Sequence, residues 1–152
     1  MKRAALTLFA LVLAASLPAC RKEADPVRAT IEALAEAVED RDADAAGALL
    51  AAAYADGEHA GRDAAQLTIR RYFAAYESIS TAFSDLAIER KPDLARATFT
   101  ASFDGAPRKI GALDGMLPRT AKVRFEMNLV PEEGRWKVSW AGWSVVSDGA
   151  GP

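Results

Sequence analysis

Cysteine and histidine are almost missing from this sequence: Cys20 and His59 are the only examples in 152 residues. Without a second thiol no intramolecular disulfide can form, so packing alone must stabilise the chain in any redox compartment. One Cys and one His also make no zinc set, because such sites draw on several of these ligands. No Gly-rich phosphate loop or serine-nucleophile elbow is present. Neither a metal nor a cofactor is therefore expected. Positive charge is not in surplus either: 19 Lys and Arg face 21 Asp and Glu, a net charge of −2, which argues against a nucleic-acid partner. Finally, no apolar run approaches the roughly 20 residues that span a bilayer.

The longest apolar run, residues 4–15, follows Met1-Lys2-Arg3 and contains no acid. A charged start, an apolar stretch and then small residues form the pattern of an export signal. It ends in Leu17-Pro18-Ala19-Cys20, which resembles the lipobox of bacterial lipoproteins, with Pro18 where the pattern prefers a smaller residue. The resemblance implies cleavage before Cys20, lipid on its thiol, and a periplasm-facing domain held at the cell envelope. Arg21, rather than Asp, follows the cysteine, which favours the outer membrane. Removing residues 1–19 leaves 133 residues and takes away Lys2 and Arg3, moving the net charge from −2 to −4. That is enough chain for one domain with a core. Residues 20–24 read as a lipidated tether, 25–146 as the domain, and 147–152 as a disordered tail.

Asp25-Pro26 predicts a helix start, with Val27, Ile31, Leu34 and Val38 at helical spacing. A second, alanine-rich helix is expected over about 44–54, and a third from Arg62 with Ala65, Ile69, Tyr72, Phe73 and Tyr76 on one face. Beyond Glu77 the period becomes that of strands. They are expected over 78–90, with a bulge at Ser84-Asp85, then 95–103, 121–129, and from Arg135 onward with a bulge at Gly142. Helices before strands with one apolar face imply an α+β domain: three N-terminal helices packed on a curved four-stranded antiparallel sheet.

Three short motifs carry a further resemblance. They are the first helix ending in Glu39-Asp40-Arg41-Asp42, the Gly61-Arg62 entry to the third helix, and Glu133-Gly134-Arg135-Trp136-Lys137-Val138 leading to Trp143. Together they resemble the nuclear transport factor 2-like superfamily, a helix-and-sheet cone, although a cystatin-like or other α+β sandwich suits the same order of elements. The resemblance implies a cavity in the cone and either an isomerase or dehydratase activity or a non-catalytic binding role.

The strands expected to face the cone present only apolar side chains, from Ala95 to Trp140, which points away from general acid/base catalysis. The leading expectation is a lipid-anchored domain that binds a small apolar ligand or an envelope protein without catalysis. The alternative is an enzyme using Tyr72, Tyr76 or Asp85. His59, in a Gly-flanked loop, reads as solvated. Trp136 and Trp140 read as core, and Trp143 as a ligand or partner contact. Residues 104–119 combine glycines and prolines with Ile110, Leu113, Met116 and Leu117, and are expected to fold over the cone mouth as a lid or partner surface. A homodimer through the outer sheet face would be polar, given Arg96, Lys122, Arg124, Glu126 and Lys137.

Overall fold

The computed structural model describes residues 24–109, 111 and 115–147. The expected export signal, Cys20, Ile110, Leu113 and residues 148–152 lie outside that range. Helix α1 (Pro26–Glu39) starts where expected: Asp25 accepts the backbone N–H groups of Val27 and Arg28, and Pro26 occupies the first turn. Its buried face carries Val27 and Ile31, and Thr30 Oγ1 donates 2.6 Å to the Trp136 carbonyl.

Helix α2 is shorter than its alanine content suggests, spanning only Ala43–Ala48. The sheet is the reason. Residues 49–55 leave the helix to run beside the edge of the last strand, where Val138 N donates to Leu49 O (2.9 Å), Ala51 N to Val138 O (2.8 Å) and Ala55 N to Ser139 O (3.2 Å). Backbone groups of a buried edge need partners, and this segment supplies them at the expense of further helix. Helix α3 (Arg62–Ala74) begins after Gly61, whose φ of 125° only glycine adopts easily.

Four strands follow: β1 (Tyr76–Lys91), β2 (Leu94–Pro107), β3 (Thr120–Glu132) and β4 (Arg135–Val145). They pair antiparallel in the order β1-β2-β3-β4. Helices packed on one face of this sheet give the expected α+β architecture. The β1 bulge lies between Ser84 and Ala87, and it turns both Phe83 and Leu86 toward the core. In β4 the extra residue is Ser139, not Gly142, because Asn128 pairs with Trp140 while Leu129 pairs with Val138.

This displacement reverses the facing of the residues between the two positions. Val138 and Ala141 belong to the core, whereas Trp140 lies on the outer face with its ring over the space a side chain on Gly142 would need. The expectation that Trp140 points inward is thereby corrected; Trp136 does pack against the core. Among the described residues, no helix is long and apolar enough to cross a membrane.

Candidate functional site

Between the helices and the concave sheet face lies a cavity of about 420 Å³. That falls within the 300–1,000 Å³ typical of small-molecule sites. The strands supply an aromatic wall: Phe99 and Phe125 stack at 5.4 Å, with Phe83 and Phe103 edge-on to them at 5.9 and 6.4 Å. Helices α1 and α3 close the other side with Ile31, Leu34, Val38, Ala65 and Ile69. Alanines at 101 and 121 on the strands keep the space open.

One corner of this apolar space is polar, and the segment between α2 and α3 builds it. Tyr54 is buried beside Val138 and Ala141 in the main core cluster. Two residues on, Asp56 folds the chain back on itself: its Oδ1 accepts the backbone N–H groups of Glu58 and His59, both at 2.7 Å. Such Asx-type turns use the short carboxylate as a substitute for a backbone carbonyl. The turn swings the His59 ring over the same carboxylate, with Nδ1 2.9 Å from Oδ2, while the Tyr54 hydroxyl donates to Oδ2 at 2.5 Å.

Asp56 therefore accepts from four donors, and its side chain is 1 % exposed. Burial works to raise its pKa, but the hydrogen bonds from Tyr54, His59 and the two backbone amides outweigh it and hold the carboxyl down at about 2. Burial and the neighbouring carboxylate push the Tyr54 phenol up, so it stays a donor. Since an ionised Asp56 can only accept, Nδ1 of His59 carries a proton, and the residue lines the cavity at 15 % side-chain exposure. A histidine oriented by a buried carboxylate beside an apolar cavity is an arrangement capable of moving a proton on a bound molecule.

The residues singled out from the sequence are scattered by comparison. Tyr72 lines the cavity but is 48 % exposed, rather than buried on its helix. Its hydroxyl lies 3.4 Å from that of Tyr76. Tyr76 is the first residue of β1, 2 % exposed, and donates to the Pro118 carbonyl at 2.9 Å. It does not line the main cavity but a neighbouring recess of about 10 Å³, room for about one water. Asp85 sits exposed at the β1 bulge with φ 58°, accepts from Ser84 Oγ, and is not part of the cavity wall. Trp143 lines the cavity at 41 % exposure.

Leu117 packs against the smaller cluster of Phe73, Tyr76 and Ile79, while Met116 is 71 % exposed. None of the described residues of the 104–119 segment lines the main cavity. Its start continues β2 to Pro107, and it docks beside α3 through Arg108 N to Ala75 O (2.8 Å). Among the described residues no group of three His, Cys, Asp or Glu gathers as metal ligands. Sequence reasoning passed over Asp56 and took His59 as solvated. The available signal was the Asp56-Gly57-Glu58-His59 spacing, which suits an Asx turn but does not reveal which way that turn faces.

No family model matches the sequence, and no curated protein matches it by sequence. Solved structures do match in shape. A candidate scytalone dehydratase from Novosphingobium aromaticivorans superposes with a TM-score of 0.70 at 13% identity, covering 80% of this chain and 83% of that one. A cystatin-like-fold protein from Caulobacter vibrioides gives 0.68 at 17% identity, covering 82% and 89%. A nuclear transport factor 2-like superfamily protein from Salmonella enterica gives 0.67 at 12% identity, covering 82% and 92%. At these identities the likeness establishes the fold, which is that of the nuclear transport factor 2-like, cystatin-like cones.

Proposed function

We propose that the chain binds a small, largely apolar molecule in its cone and that His59, oriented by Asp56, moves a proton on it, as an isomerase or dehydratase would. The observation that carries this reading is the Tyr54–Asp56–His59 cluster at the edge of an otherwise apolar cavity. Nε2 would take a proton from a carbon beside a carbonyl, and the C–H electron pair would pass to the carbonyl oxygen. Asp56 would stabilise the positive charge developing on the ring, being too fully hydrogen-bonded to act as the base itself. The fold neighbours include a protein named for dehydration, which is consistent with this chemistry.

A cyclic ketone in deuterated buffer tests it. The protein should accelerate deuterium uptake at the carbon next to the carbonyl, and His59→Gln should lower that rate by about 10²–10⁴-fold while changing ketone affinity by less than about threefold. Uptake no faster than in buffer, or unaffected by the substitution, would refute the proton-transfer role.

Residues 1–20 support a second proposal, that the domain works from the cell envelope, held by lipid on Cys20. Lys2-Arg3, the apolar run and Leu17-Pro18-Ala19-Cys20 are its support. Processing in a bacterial host should be blocked by globomycin, and Cys20→Ser should abolish lipid labelling. Globomycin-insensitive processing would sink the anchor.

A further inference from the structure

The two edges of the sheet are protected very differently. β1 carries Glu77, Asp85, Glu89, Arg90 and Lys91, its bulge breaks the register with β2, and its Thr81 N–H donates to Glu39 Oε1 at 2.9 Å. Charges, bulges and covered amides are the devices that keep an edge strand from pairing with another chain. β4 is covered only along its first half, where residues 49–55 lie against Val138 and Ser139. From Val138 to Ser147 the sequence has no charged residue and no proline. Among the described residues, no backbone group of another element bonds the outward edge of residues 141–145.

Register decides what that edge offers. Val146 N donates to Lys122 O at 2.8 Å, so Ser144, Gly142 and Trp140 exchange hydrogen bonds with Arg124, Glu126 and Asn128 of β3. Ala141, Trp143 and Val145 therefore aim their N–H and C=O groups away from the sheet. Their side chains share the concave face: Ala141 is in the core, Trp143 lines the cavity, and Val145 is 72 % exposed. An uncharged edge flanked by bare apolar side chains is a template for another strand.

This edge is complementary to itself. A two-fold axis at Trp143 sets Trp143 against its own copy and Ala141 against Val145 of the other copy, so the three outward residues satisfy one another, with two N–H···O bonds per pair. The pairs between them, Gly142 with Ser144 and Trp140 with Val146, are uncharged as well, so no like charges meet. We infer that two copies of the chain pair antiparallel through residues 141–145 of β4. The two sheets then become one, and Trp143 and Val145 of each copy stand at the rim of the other's cavity. This pairing does not depend on the proton-transfer reading, and either holds without the other.

Disulfide trapping of the full chain in bacterial cells tests it, with Cys20→Ser so that the introduced thiol is the only one. Cα atoms of a hydrogen-bonded antiparallel pair lie about 5.5 Å apart, within the roughly 4.4–6.8 Å that a disulfide bridges. Trp143→Cys should therefore give a covalent dimer under mild oxidation. Ser102→Cys, exposed on the opposite face of the sheet, should give at least about fivefold less. Adding Val145→Lys, which supplies the missing edge charge, should cut the Trp143→Cys dimer at least about fivefold. Sedimentation equilibrium of the wild type in a non-denaturing detergent should give the mass of two chains, and that of Val145→Lys the mass of one, with matching far-ultraviolet circular dichroism. A wild type with the mass of one chain at every concentration, Ser102→Cys crosslinking as readily as Trp143→Cys, or a dimer that survives Val145→Lys would each overturn the inference.

Discussion

Asp56 shows how far a single residue can be read from sequence and where that reading stops. The Asp-Gly dipeptide signals a turn, and an Asp three residues before a His can hydrogen-bond it locally. What the sequence does not carry is the burial, which comes from Tyr54 packing into the core and from Ala55 joining the β4 edge. The sign of the pH effect follows from the depressed carboxyl. Its folded pKa of about 2 lies below the roughly 3.9 of an unfolded Asp, so its contribution is present in full above pH 4–5 and is lost as pH falls toward 2. The urea midpoint of the wild type should therefore decline over that window. Asp56→Asn should begin less stable at pH 7 and show a shallower decline over pH 4 to 2. Parallel curves for the two proteins would contradict this account of the carboxylate.

At the scale of elements, order and type were legible because the periodicities are strong. Val27, Ile31, Leu34 and Val38 mark α1, and Ala95 to Phe103 mark β2 by strict alternation. The errors arose where tertiary pairing overrode local preference. Alanine content favours continuing α2, but the β4 edge draws residues 49–55 out of the helix. Glycine suggested a bulge at 142, yet the bulge is at Ser139, and Gly142 serves a different purpose.

A Cβ at position 142 would lie 2.5 Å from the end of the Trp140 ring, so glycine is what lets that ring rest on the outer sheet face. Gly142→Ala should destabilise the fold by about 1–3 kcal/mol, the usual cost of overpacking. In a Trp140→Ala background the same substitution should cost far less, a coupling measurable by a double-mutant cycle. Ketone affinity should be nearly unchanged, since the clash is on the face opposite the cavity. Additive energies in the cycle would mean that the ring and the glycine are independent.

For the molecule as a whole, the apolar face of the sheet could be read from the sequence but not whether it was filled. Alanines at 95, 97, 101 and 121 suit either close helix packing or open space; the Ser139 bulge adds Ala141 to that face, and the structure divides the five. Ala95 and Ala97 are fully buried without lining the cavity, while Ala101, Ala121 and Ala141 border it. An inward set drawn from strands alone also missed Asp56 and His59, which reach the cone from the loop between α2 and α3. An open cavity of about 420 Å³ leaves its lining atoms without packing partners, a loss of contacts that a ligand can restore. A molecule bound only by the folded chain stabilises it by about 2.7 kcal/mol at a concentration 100 times its dissociation constant. For a domain of this size that corresponds to a rise in Tm of roughly 10 °C. The wild type should show such a rise with a saturating cyclic ketone. Ala121→Phe should melt no lower than the wild type without ligand and should fail to respond to the ketone, because its own ring occupies the space. A thermal shift of equal size in both proteins would place the ketone somewhere other than the cone.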